Sequence, residues 1–479
     1  MTDLFDLLAL GSARAIGAAI ASGEVTSLAV TEWYLRRIER LNEGDKGINA
    51  VRSLSRLARK EAARADSELA AGRSRGALHG VPYLIKDNAF TTDGSFASAG
   101  ARALAEFLPP YEATVVARLR EAGAVLLGKT NLTEFADFVS DIMPSEYSGA
   151  GGVVRNPLNL SYGRGQGSSV GSAAAVAAGF CAFAIGSETQ NSIQTPAVYS
   201  SVVGFKPTVG HVSRHGFIPL VPSQDSPGPL TRTVGDAQLV YAAIRGADML
   251  DTATLSGLVA ERPAPDSLTG LRIGIPRRAM ADTLLAEGRQ AVFNRLLDSL
   301  AQAGAVIVDP CDLPSADRLQ EVRSCVFRTE FRESLNSLLK ALAPCGMSTM
   351  RDIIDWNSAH PESIPYGQSL LEAADAAPGI HSEQYRHDRR QDIALSLEEG
   401  ILAALNAGQA DLLLSPLSAA AKCTGKAGAP VVALPTGEDN DGLPFGITLY
   451  AAPGQDETLL QAAGLIERVV GRRLLPALE

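Results

Sequence analysis

Apolar and polar positions divide the chain into two regimes. In the first, Val30, Tyr34, Ile38 and Leu41 recur at helical spacing behind Ser27, a residue suited to cap a helix start. A second amphipathic stretch, INAVRSLSRLARKEAARADSELAAG, follows and stops at Gly72. Residues 1–72 are therefore predicted to be N-terminal helices packed on a core. Beyond them, apolar runs of strand length alternate with helical segments. GVPYLIKDN (80–88) reads as a buried strand, TVVARLREAG (114–123) as a helix and AVLLGKTN (124–131) as a strand. SAAAVAAG (172–179) reads as a short helix and FCAFAIG (180–186) as a strand, after a turn-rich segment at 156–171. Later strands are LRIGIP (271–276), AVIVDP (305–310), DLLLSP (411–416), PVVALP (430–435) and PFGITLY (444–450), and a last helix spans about 457–470. This alternation predicts an α/β fold: one large domain over 73–479, built on a mixed, mostly parallel twisted sheet with helices on both faces. Residues 315–400 break the pattern. They are helical and charged, contain Trp356, and read as a helical insertion or lid.

Composition narrows the partners. A length of 479 residues allows about three average domains, or one large open sheet. Hydrophobic residues make up 46%, as in a globular protein, and the net charge is −10 with no basic block. Such a chain is a poor holder of nucleic acid or an anionic membrane surface. Five widely spaced cysteines form no C-x-x-C pair, so neither a disulfide framework nor a zinc ribbon is expected. The N-terminus lacks the positive start of a signal peptide. The uncharged stretch Ala173–Ser187 reads as buried helix and strand. The expectation is a cytoplasmic protein with reduced thiols, as monomer or homodimer.

Several motifs do not hold. HExxH and a Walker A loop are absent, and no His pair has metal-ligand spacing on a predicted helix. Gly163, Gly165 and Gly167 alternate, but residue 168 is Ser, so the dinucleotide fingerprint fails. Gly167-Ser168-Ser169-Val170-Gly171 fits G-x-S-x-G, which would make Ser169 an esterase nucleophile, yet no strand reads immediately before it.

What remains is a constellation. Lys86 ends an apolar strand, Ser168 and Ser169 lie in a Gly-rich loop, and Ser192 follows strand FCAFAIG. The two serines at 168 and 192 are 192 − 168 = 24 residues apart. A helix and a strand fit between them, returning both to one sheet edge, where parallel sheets gather their sites. Alone, each residue has a plainer reading: a snorkelling lysine, turn serines, a helix cap. Together, GVPYLIKDN, GQGSSVGSAAAVAAG and GSETQNSIQTPAVYSSVVGFKPTVG resemble the amidase signature family. ATVVARLREAGAVLLGKTNLTEFA, VSRHGFIPLVPSQDSPGPLTRTVGDA, AGAPVVALPTG and GLPFGITLYAAPGQDETLL extend the likeness over most of the chain, with a motif core at 80–236. MSTMRDIIDWNSAHPESIPYGQSLLEAA resembles the peptide-amidase-like branch of stand-alone amidases.

The resemblance implies a Ser–cisSer–Lys triad with Ser192 as acyl-forming nucleophile, Ser168 as the residue with the cis peptide, and Lys86 as base. It implies an oxyanion hole from the backbone N–H groups of Thr189, Gln190, Asn191 and Ser192. It places Ala136 and Ser168 against a small-molecule amide, with no cofactor and no metal. The chemistry is sound in its own terms. A Ser hydroxyl needs a base, and Lys is one only when neutral, which burial favours by pulling its pKa to roughly 7–8. Asp87 would oppose this, but adjacent strand residues point to opposite faces. Glu188 and Asp225 read as hydrogen-bonding supports. Two positions depart from the family: Asn191 where Gly is common, and Val170 where Gly or Ser is. The expected activity is hydrolysis of a carboxylic amide to an acid and ammonia or an amine. The alternatives are the glutaminase subunit of a tRNA-dependent amidotransferase, against which Gln194 stands in place of Arg, and a non-hydrolytic binding protein on the same scaffold.

Overall fold

The computed structural model describes residues 6–44, 46–158, 167–256, 262–285 and 288–478. The strands are, in chain order, β1 (Val51–Leu54), β2 (Pro82–Lys86), β3 (Val125–Thr130), β4 (Tyr147–Ser148), β5 (Gly152–Val153), β6 (Phe183–Glu188) and β7 (Val203–Lys206). They continue as β8 (Ser226–Thr231), β9 (Arg272–Gly274), β10 (Val306–Val308), β11 (Leu412–Pro416), β12 (Val431–Glu438) and β13 (Pro444–Tyr450). Apart from the β4–β5 hairpin they form one sheet of order β1-β3-β2-β6-β8-β7-β12-β13-β11-β9-β10. Pairing is parallel across β3-β2-β6 and β11-β9-β10, and antiparallel at β1 and through the centre.

The parallel block positions the site. β2 and β6 pair in register Tyr83↔Phe183, Leu84↔Ala184 and Ile85↔Ile185, so both carboxyl ends finish at one edge. Each of these strands is buried on both faces, as their unbroken apolar runs require. One cover is the helix Val170–Ala177, all eight of whose residues are buried. Its small side chains let it sit close to β2 and β6. The helices Ser27–Leu41 and Ala58–Ala70 pack beside β2 and β3.

The predicted N-terminal helices need one correction. Val51–Leu54 is not helical; it joins the sheet edge antiparallel to β3. Helix begins only at Ala58. β-branched Val51 fits a half-buried edge, and the small, charged run after it fits a helix. Two strands escape periodicity. β8 is SPGPLT, whose prolines disfavour a central strand, and β7 is four residues long. Residues 315–400 do fold as helices, chiefly Val326–Leu342, Met350–Ala359, Ser369–Asp375 and Glu383–Ile393. They share a second apolar core with Phe90, Phe107, Phe135, Ile218 and Leu220. Among the described residues no helix is long and apolar enough to cross a membrane.

Candidate active site

Lys86 ends β2 and is wholly buried. Its Nζ lies 2.7 Å from Ser168 Oγ, 3.1 Å from Ser187 O and 3.1 Å from Ser187 Oγ. Asn88 Nδ2 donates to the same Ser187 hydroxyl at 3.0 Å. Burial pulls the Lys86 pKa down to about 7, against the opposing pull of Asp225, Glu188 and Asp137. Asp87 points the other way. Its carboxylate accepts from Ser98 Oγ at 2.5 Å and lies 3.2 Å from Arg52 Nε. The alternation of side chains along the strand thus leaves Lys86, among the described residues, without a carboxylate in salt-bridge contact.

A neutral amine has two N–H donors and one acceptor site. The carbonyl of Ser187 can only accept, so one N–H is directed at it. The hydroxyls of Ser168 and Ser187 each donate or accept, and either can meet the lone pair.

Ser192 lies beside this pair. Ser169 N–H donates to Ser192 O at 3.0 Å. A Cβ on Gly167 would lie 3.2 Å from Ser192 Cα and 3.0 Å from Asn191 O, so the loop and the turn meet backbone to backbone. Gly167 has φ +73°, a left-handed conformation that glycine adopts at no steric cost. Among the described residues Ser192 Oγ makes no hydrogen bond; hydrogen bonds of this kind often tighten only with substrate present. The cis peptide expected at Ser168 is not found. The described cis bond is Asp309–Pro310, and the left-handed Gly167 turns the chain ahead of Ser168. Of the turn-rich segment, residues 159–166 lie outside the described residues.

Ser169 is occupied elsewhere. Its hydroxyl donates to Ser187 O at 3.0 Å and accepts from Ser187 N–H at 3.2 Å, and it is fully buried at the start of the helix. Gly186 must be glycine here, because a Cβ would meet Ser169 Oγ at 2.7 Å. Ser169 therefore clamps the loop to β6. The esterase reading needs a free hydroxyl there, whereas this one is engaged in both directions by Ser187.

The turn Thr189–Ser192 is built from both sides. Glu188 Oε2 accepts the N–H groups of Ile193 at 2.7 Å and Gln194 at 2.9 Å, and Oε1 accepts from Gln194 Nε2 at 2.5 Å. Its carboxylate sits where the helix Gln194–Tyr199 begins, with the first N–H groups aimed at it. Thr189 Oγ1 donates to Asp225 Oδ1 at 2.6 Å, while Asp225 Oδ2 accepts from Leu220 N–H and Val221 N–H, each at 2.9 Å. Among the described residues the N–H groups of Thr189, Gln190, Asn191 and Ser192 have no acceptor. Asn191 is not among the positive-φ residues, so the turn needs no glycine there. Val170 is buried in the main core and does not line the acyl-side cavity.

That cavity, of about 220 Å³, opens beside Ser187 and Thr189. Its walls include Ala136, Phe135, Phe217, Ile218 and Leu220. Phe135, Ala136 and Asp137 have φ of +43°, +55° and +74°, three strained residues in succession. Phe135 N–H donates to Ala99 O at 2.8 Å, and its ring packs 5.8 Å from that of Phe331 in the helical insertion. The sequence reading placed Ala136 on the wall but missed Ser187, Asn88 and Gly425. A Cβ on Gly425 would lie 2.8 Å from Thr189 O and 2.9 Å from Gln190 Cα. The helix Ala421–Ala427 thus backs the turn at van der Waals distance, a long-range contact with no local signal.

A profile described as "Amidase" matches residues 29–460. The native peptide amidase of Stenotrophomonas maltophilia superposes with a TM-score of 0.91 at 36% identity, covering 98% of each chain. An amidase family protein of Bacillus anthracis gives 0.90 at 30% identity, covering 98% of this chain and 93% of that one. A glutamyl-tRNA(Gln) amidotransferase subunit of Sinorhizobium fredii is 33% identical over 512 residues, covering 98% of this chain and 99% of its own. Profile, fold and sequence agree over almost the whole length: the chain belongs to the amidase family and is an amide C–N hydrolase.

Proposed function

We propose that the chain hydrolyses a carboxylic amide through an acyl-enzyme on Ser192, with Ser168 relaying protons between Ser192 and Lys86. Neutral Lys86 takes a proton from Ser168 as Ser168 takes that of Ser192. Ser192 Oγ then attacks the amide carbon. The oxyanion is held by backbone N–H groups of Thr189–Ser192, donors fixed before the reaction begins. Collapse of the tetrahedral intermediate breaks the C–N bond, and the proton returns through Ser168 to the leaving nitrogen. Water repeats the sequence and releases the acid. The observation that carries this reading is the 2.7 Å contact between a wholly buried Lys86 Nζ and Ser168 Oγ. We further place the protein in the cytoplasm, acting without a second subunit on an amide with an apolar or aryl acyl group.

The test is labelling by a fluorophosphonate, read by intact and peptide mass spectrometry. Label on Ser192, weakened by about 10²–10⁴-fold in rate in Lys86→Ala, is the expected result. Label on Ser169 would move the reading to an esterase. An absence of label with retained ligand binding would favour a binding protein on this scaffold.

A further inference from the structure

The loop after the helix Val234–Ile244 holds two apolar side chains out in water. Met249 is 79% exposed and Leu250 is 68% exposed. Isolated exposed apolar residues are ordinary; an adjacent pair, one of which also lines a cavity, is not. Leu250 also lines the cavity that reaches Ser187 and Thr189.

This loop is fastened at both ends. Asp248 Oδ2 accepts from Thr114 Oγ1 and Ser213 Oγ, each at 2.6 Å, and its Oδ1 accepts Leu250 N–H at 2.9 Å. Asp251 Oδ2 accepts from Arg214 N–H and Arg214 Nε, each at 2.8 Å, and its Oδ1 accepts from Arg214 Nη2 at 2.5 Å. Two anchored carboxylates flank the pair and force it outward, so its exposure is built in. The same bonds use up the charge at the cavity mouth. Arg214 is held by Asp251 and by Pro222 O, and His215 stacks on Tyr111 at 4.8 Å. Deeper in, both oxygens of Asp225 are taken. The walls between Thr189 and Leu250 thus carry an apolar strip of Phe135, Ala136, Phe217, Ile218 and Leu220, with Arg214, Asp251 and Asp225 already bonded; among the described residues Asn88 Oδ1 and Ser226 Oγ are the buried polar atoms of the lining left without a partner.

We infer that Met249 and Leu250 are the outer end of the acyl subsite, and that the acyl group is uncharged, apolar and long enough to reach them. This rests on the Ser192 reading and names its substrate class. The test is kcat/KM for primary amides from propionamide to octanamide, followed by ammonia release. The expected result is a rise of about threefold per methylene. In Met249→Asp and in Leu250→Asp the octanamide-to-propionamide ratio falls at least about tenfold, as a desolvated carboxylate would require. Leu250→Phe keeps the ratio high, which separates a lost apolar surface from a damaged loop. A flat series with propionamide still hydrolysed overturns the lip and leaves the Ser192 reading standing. So does a steep series that neither aspartate changes. Should no amide of the series be turned over, fluorophosphonate labelling of Ser192 decides the Ser192 reading, and calorimetry of octanamide against wild type and Leu250→Asp decides the lip: equal binding overturns it, weaker binding in the variant supports it.

Discussion

Lys86 owes its chemistry to its surroundings. Burial lowers its pKa to about 7, so the neutral amine is available near neutrality. In the proposed mechanism the neutral form is the base, so kcat/KM should rise with pH through about 7 and level off above it. Asp225 is the strongest of the groups that oppose the burial. Its negative charge favours the ammonium, so its removal lowers the Lys86 pKa further. In Asp225→Asn the acid limb is expected at lower pH than in wild type. The amide can keep these contacts, its oxygen accepting from Leu220 and Val221 N–H and its nitrogen donating to the Thr189 hydroxyl, so the variant isolates the charge. A pH–rate profile of kcat/KM checks the shift. A limb that stays in place, or moves up, would remove Asp225 from the electrostatics of Lys86.

Elements bring these residues together by means that local sequence does not carry. Lys86 and Ser187 meet because β2 and β6 are parallel neighbours in register. The turn Thr189–Ser192 is backed by Gly425, and Gln194 after it donates to Thr424 Oγ1, 230 residues away. In Gly425→Ala the new methyl meets backbone at 2.8–2.9 Å, which no side-chain rotation relieves. The expected result is a kcat drop of at least about tenfold with a stability cost of about 1–3 kcal/mol, read by steady-state kinetics and thermal melting. Unchanged kcat would mean that the turn is not held by this helix. The same contrast explains what the sequence made legible. Lys86, Ser168 and Ser192 lie in long motifs, and apolar runs mark most strands, so both could be read directly. β1, β7 and β8 could not. Their pairing overrides weak or contrary propensity, as in the proline-bearing SPGPLT. Ser187, Asn88 and Gly425 act through spatial neighbours rather than through any pattern of their own.

At the scale of the whole molecule, the helices of residues 315–400 and the loops share one apolar core, and Phe135, Ile218 and Leu220 of that core also line the cavity beside Ser187 and Thr189. Glu330 ties the two, accepting from Ser223 N–H at 2.8 Å and Tyr385 OH at 2.9 Å. The cavity so enclosed bears on whether this chain works alone on apolar amides or serves as a glutaminase subunit, since relatives of both kinds match over its full length. Free glutamine carries an α-carboxylate and an α-ammonium, and a glutaminase must pair both. Here the cation at the cavity mouth, Arg214, is already held by Asp251, and the carboxylate within, Asp225, is held by Thr189 and two backbone N–H groups. Binding glutamine would require breaking one of these or leaving a charge unpaired, and an unpaired charge in an apolar cavity is costly. The purified chain, without any partner, is therefore expected to hydrolyse an N-acyl amino-acid amide with an apolar side chain at least about 100-fold more efficiently than glutamine, roughly 3 kcal/mol of discrimination at 1.36 kcal/mol per tenfold. Ammonia release from the two substrates measures it directly. A preference for glutamine, or turnover that appears only when a second subunit is added, would instead make this chain one half of an amidotransferase.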